Sequence, residues 1–134
     1  MADQGLSSAD QAVSVLIVDD QAPFRLSARA VVGFTPGFEV VGEAKSGEEA
    51  VDQVGSLGPQ LVLMDINMPG MGGIAATRRI TAEHPEVRVV LLSTYDADDL
   101  PADARTCGAA GYVHKEQFGP DVLTTLWSEG AGAG

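Results

Sequence analysis

The chain has one cysteine, Cys107, in 134 residues. An internal disulfide needs two thiols and a multi-cysteine metal site needs more, so both are excluded. Basic residues are scarce: 8 lysines and arginines stand against 19 aspartates and glutamates, a formal net charge of −11. Nucleic-acid phosphates are bound through Lys and Arg that release counterions, so no direct nucleic-acid binding by this chain is expected. Long apolar runs are missing too. No stretch reaches the roughly 20 residues that span a bilayer, and the N-terminus lacks a basic segment followed by an apolar one. A cytoplasmic protein with no membrane partner is the expectation. The two histidines have no metal-ligand spacing to a partner. His84, before Pro85, reads as a solvated helix end, and His114 as a polar residue at a strand edge.

What is present suffices for one domain with a core. Residues 1–12 are polar and without period, and are expected as a disordered leader. Residues 13–128 carry the domain, and 129–134, rich in Gly and Ala, read as a flexible tail or linker stub. Within the domain, apolar runs alternate with amphipathic stretches. Strands are expected at Val13–Val18, Phe38–Ala44, Leu61–Met64, Val87–Leu92 and Gly111–Val113. Helices are expected at Ala22–Val32, from a capping box at Ser46 and Glu49 to a stop at Gly58-Pro59, at Ile74–Glu83, at Asp98–Cys107 with Pro101 near its start, and at Pro120–Ser128. Strands apolar on both faces, each followed by a helix, imply a parallel sheet covered on both sides. Right-handed crossovers then favour an α/β, doubly wound, five-stranded architecture.

Parallel strands all end on one rim, where ligands of open α/β sheets sit. Asp19-Asp20 closes the first strand, Asp65 the third and Ser93-Thr94 the fourth, and Lys115 follows the fifth. Any one of these residues has a plain alternative as a helix cap. Together they place three carboxylates, a hydroxyl pair and an ammonium side by side. Two carboxylates about 4 Å apart repel by roughly 4 kcal/mol at an effective dielectric of 20. Such crowding is relieved by a raised pKa or by a divalent cation. Mg²⁺ suits an all-oxygen site of few carboxylates. A carboxylate beside it can be phosphorylated as a nucleophile, with the lysine and a hydroxyl holding phosphoryl oxygens.

The segments Val15-Leu16-Ile17-Val18-Asp19-Asp20, Leu63-Met64-Asp65-Ile66-Asn67-Met68-Pro69-Gly70-Met71-Gly72-Gly73, Leu91-Leu92-Ser93-Thr94-Tyr95 and Gly108-Ala109-Ala110-Gly111-Tyr112-Val113-His114-Lys115 resemble the receiver domain of bacterial two-component response regulators. The resemblance covers Val13 to Trp127. It implies a flavodoxin-like sheet of order 2-1-3-4-5. It also implies that a sensor histidine kinase phosphorylates Asp65 with Mg²⁺ as cofactor. Asp20 would ligate the ion directly, Asp19 through water, and Asn67 through its backbone carbonyl. Lys115 would bind phosphoryl oxygens. The hydroxyl that switches lies about 22 residues before the lysine in this family, which selects Ser93 over Thr94, and Tyr112 would repack with it. Glu116 stands where many members have proline, and His114 where an apolar residue is usual. Glu116 and the Tyr95-Asp96 pair resemble the subfamily whose output is a helix-turn-helix DNA-binding domain, so control of transcription is implied. A homodimer through the last helices is a further implication.

Three other readings stay open on the residues alone. A receiver-like interaction module would signal without phosphorylation. An aspartyl-phosphate hydrolase would carry a second aspartate where Asn67 stands. A flavin-binding protein of similar fold would need a phosphate-cradling loop after the first strand, which is lacking.

Overall fold

The apolar runs form five strands in the computed structural model, which describes residues 12–133. They are β1 (Val13–Val18), β2 (Phe38–Ala44), β3 (Leu61–Asp65), β4 (Arg88–Ser93) and β5 (Gly111–His114). The helices are α1 (Ala22–Phe34), α2 (Gly47–Leu57), α3 (Gly72–Glu83) and α4 (Pro120–Ala133). The strands lie in the order β2-β1-β3-β4-β5 and every neighbouring pair is parallel. That is the flavodoxin-like order expected. Of the leader, only Ala12 falls among the described residues, and Gly134 of the tail lies outside them.

Alternation along each strand splits the core into two layers. Leu16, Val18, Val62, Met64, Val89 and Leu91 face α2 and α3, against Ala50, Val54, Ala76 and Ile80. Val15, Ile17, Leu61, Leu63, Val90 and Leu92 face the other way, against Ala28 and Val32 of α1 and Leu123 of α4. With both faces covered, the open places for polar chemistry are the strand ends.

Local chemistry sets the element ends. The Ser46 hydroxyl accepts from the Glu49 amide at 3.1 Å and opens α2. The Glu49 carboxylate returns to the Lys45 amide at 3.0 Å, one residue earlier than a capping box reaches. Gly58 ends α2 in the left-handed region at φ 60°. Gly73, the second residue of α3, lies where a side chain has no room: a Cβ there would collide with the backbone carbonyl of Asp65. The glycine thus lets α3 pack directly behind the strand end that carries the carboxylate.

One expected element is different. In place of a helix over Asp98–Cys107 the chain makes two 3-10 turns, Ala97–Asp99 and Ala102–Arg105. Pro101 separates them. It has no amide hydrogen for an α-helical bond and disfavours helical geometry at Leu100. Only Ala104 and Cys107 of the stretch are buried, too small a face to hold a longer helix against the sheet. At the other end, α4 continues through Ala133, into the segment expected as a tail.

Two glycines give opposite expectations. A Cβ on Gly33, in α1, meets nothing within 4 Å, so Gly33→Ala is expected to stabilise by about 0.5–1 kcal/mol. Gly73→Ala is expected to destabilise by roughly 1–3 kcal/mol, as overpacking does. Urea unfolding of both variants checks the contrast, and equal effects of like sign would contradict it.

Candidate functional site

The central strands β1, β3 and β4 carry the site because they end side by side. Asp19 follows β1, Asp65 is the last residue of β3 and Ser93 the last of β4. Lys115 opens the turn after β5. One carboxylate oxygen from each of Asp19, Asp20 and Asp65 lies within 4.8 Å of the other two. Asp19 and Asp65 are buried and Asp20 is half-buried.

Each buried carboxylate is anchored. The Asp19 amide donates to the Ala44 carbonyl at 3.0 Å. Its side chain accepts from the Gln21 amide at 2.8 Å and from Lys115 Nζ at 2.6 Å. The same ammonium lies 3.2 Å from Asp65 Oδ1 and 4.5 Å from the centre of the Phe24 ring. Lys115 thus bridges two carboxylates over an aromatic face.

The electrostatics follow from this crowding. Burial pushes the Asp65 carboxyl up from 3.8 to about 6, with Asp19 adding to the rise. Lys115 and the Asn67 backbone amide pull the other way without cancelling it. Burial alone would lower the Lys115 ammonium, but its hydrogen bond to Asp19 and the charges of Asp65 and Asp19 hold it above its usual value. The rim is short of positive charge. Its donors are all oxygen and Asp20 is open to water, a set that fits Mg²⁺.

The other expected residues are placed as follows. Asn67 is exposed just beyond Asp65, and its Oδ1 accepts from the Tyr95 hydroxyl at 3.5 Å. Ser93 is buried, and its oxygen accepts from the Tyr95 amide at 2.9 Å. Thr94 is exposed. The Tyr112 hydroxyl donates to the Tyr95 carbonyl, so Tyr112 holds the loop after β4. Asp19, Asp20, Asp65 and Lys115 are therefore gathered in one cluster. Ser93, Asn67 and Tyr112 are gathered around Tyr95.

Sequence reasoning passed over Phe24, Arg25 and Glu43. Arg25 Nη1 donates to the Asp19 carbonyl at 2.7 Å, and its Nε donates to Glu43 at 3.1 Å. Nothing in the spacing of residues 18 apart marks this pair. Only the β1–β2 pairing brings it together.

The raised Asp65 carboxyl has a consequence for stability. Between pH 3.8, its ordinary value, and about 6 the folded protein binds more protons than the unfolded chain. Stability therefore falls as pH rises through that window. In the presence of a chelator, Asp65→Asn is expected to gain about 2–3 kcal/mol at pH 7.5, and the gain is expected to shrink toward zero near pH 4. Urea unfolding at the two pH values checks this, and a gain equal at both would contradict it.

Residues 15–127 match the model of the response regulator receiver domain. The chain is 40% identical over 103 residues to the response regulator GacA of Pseudomonas viridiflava, covering 77% of this chain and 48% of that one. It is 37% identical over 116 residues to the response regulator UvrY of Escherichia coli K12, covering 87% and 53%. The chain thus spans about half the length of these curated relatives. Among solved structures, the signal receiver domain of the response regulator NarL from Mycobacterium tuberculosis superposes with a TM-score of 0.82 at 27% identity, covering 91% of this chain and 98% of that one. A LuxR-family two-component response regulator from Aurantimonas superposes with a TM-score of 0.80 at 30% identity, covering 89% and 85%. With its parallel sheet, its rim of carboxylates and these matches, the chain belongs to the response regulator receiver domain family.

Proposed function

We propose that Asp65 accepts a phosphoryl group from the phosphohistidine of a sensor histidine kinase. An ionised Asp65 oxygen attacks phosphorus, the phosphorus–nitrogen bond breaks, and its electron pair stays on the imidazole. The product is an acyl phosphate on Asp65. The observation that supports this best is the cluster itself: three carboxylates within 4.8 Å, with the Lys115 ammonium 3.2 Å from the proposed nucleophile.

The residues have distinct parts in this reading. Asp20, Asp65 and the Asn67 backbone carbonyl would hold Mg²⁺, with Asp19 supporting the site through water. An ion held there would offset the carboxylate charge and that of the incoming phosphoryl group. Lys115 is already beside Asp65 and pairs with phosphoryl oxygens. Ser93 turns its hydroxyl toward the phosphoryl group, exchanging its present bond to the Tyr95 amide. Tyr112 grips the carbonyl of the same residue, so that exchange reaches the surface between β4 and β5. Thr94, exposed beside Ser93, is a lesser candidate for the same contact.

The chain acts in the cytoplasm as the phosphorylated part of a longer regulator. Its output is control of transcription through a DNA-binding domain outside this chain. One relative, DegU of Brevibacillus brevis, is named a transcriptional regulatory protein; it is 38% identical over 104 residues, covering 78% of this chain and 44% of that one. A homodimer through α4 is the accompanying assembly. The chain can also promote its own phosphorylation from small donors and its own dephosphorylation.

Incubation with acetyl phosphate and Mg²⁺, read by intact mass, tests the reading. The wild type is expected to gain one phosphoryl group and Asp65→Asn none. A wild type without adduct, or an undiminished adduct on Asp65→Asn, would overturn it. Beryllofluoride distinguishes the phosphorylation-independent module: unchanged partner affinity on loading would favour that alternative.

A further inference from the structure

The strand-end loop that carries Asp19 and Asp20 is held from both sides by the end of β2. The Ala44 carbonyl accepts the Asp19 amide at 3.0 Å. One residue earlier, Glu43 accepts Arg25 Nε at 3.1 Å, and Arg25 Nη1 reaches across to the Asp19 carbonyl at 2.7 Å. That carbonyl belongs to the peptide unit whose other end is Asp20. Fixing its plane fixes where the Asp20 side chain leaves the backbone. Asp20 is also the most solvent-open of the three clustered carboxylates, the one with most freedom to wander.

We infer that Arg25 is a positioning residue for the cation site, acting through the Asp19–Asp20 peptide. Its guanidinium is well placed for this. Only 14% of its side chain is exposed, and a fork of donors serves the carbonyl and the carboxylate at once. Glu43 has two tasks. It orients the guanidinium, and it neutralises a positive charge that would otherwise repel a cation a few residues away. Glu43 is itself fixed: Oε2 takes Arg29 Nη2 at 2.6 Å, and its backbone carbonyl accepts Gln53 Nε2 at 2.8 Å. The path runs from α2 and β2 through Arg25 to Asp20 without any of these side chains being a ligand.

The inference rests on the reading of the rim as a Mg²⁺ site, and calorimetric titration with Mg²⁺ separates the two. Wild type is expected to bind and Asp20→Asn to lose binding. Arg25→Met, close in shape but without donors, is expected to weaken Mg²⁺ about tenfold, as losing a partner behind a ligand does. Arg25→Lys is expected to recover part of that loss. In phosphorylation from acetyl phosphate, Arg25→Met should raise the Mg²⁺ concentration for half-maximal rate far more than it lowers the plateau. A general structural defect would not divide the effect this way. Absence of Mg²⁺ binding by wild type overturns the cation site and this inference with it. An unchanged Mg²⁺ constant in a folded Arg25→Met overturns this inference alone. Should circular dichroism show that Arg25→Met does not fold, Glu43→Gln carries the same test: weaker Mg²⁺ binding supports the inference and an unchanged constant overturns it.

Discussion

Repulsion among the carboxylates of Asp19, Asp20 and Asp65 is the constraint around which this domain is arranged. Folding two layers of apolar residues around a parallel sheet brings the ends of β1 and β3 together, and with them the acids. At separations near 4 Å that arrangement costs roughly 1–4 kcal/mol per pair, depending on how far water screens it. The fold carries this cost because Val15, Leu16, Ile17 and Val18 of β1 and Leu61, Val62, Leu63 and Met64 of β3 are buried behind the rim and cannot retreat. Lys115 offsets part of it by bonding Asp19 and lying against Asp65. Burial, with the Asp19 charge adding to it, leaves the Asp65 carboxyl raised all the same.

The same crowding explains why so many neighbours are tied down. Gly73 allows α3 to press on the Asp65 backbone, and Asp19 spends its amide, its carbonyl and both carboxylate oxygens on fixed partners. Other parts of the rim are held more lightly. Those are the residues around Tyr95, which joins Asn67, Ser93 and Tyr112 by single hydrogen bonds. Two 3-10 turns follow this loop in place of a helix, and the segment after β4 meets the core through Leu100, Ala104 and Cys107.

The strands and the rim were legible because their signals are local. An apolar run with a carboxylate at its end reads as β3 and Asp65 whatever else the chain does, and β1 and β2 have the bounds their sequence implies. Over Asp98–Cys107 the sequence misleads, because nothing but Pro101 speaks against a helix and the apolar face that would decide is nearly absent. Arg25 and Glu43 were invisible for another reason. Their contact exists only through strand pairing, and an arginine in the first turn of an amphipathic helix looks like any solvated charge. The reach of Lys115 to Asp19, across 96 positions, was legible only because the rim gathers every strand end.

The protonation of Asp65 in the cation-free protein reads the electrostatics of the rim directly. Carbon-13 NMR of its carboxyl carbon, followed against pH in the presence of a chelator, is predicted to show a midpoint near 6, moving higher in Lys115→Met as the offsetting ammonium is removed. A midpoint at or below 4, unmoved by Lys115→Met, would show that neither burial nor the neighbouring charges hold the proton on Asp65.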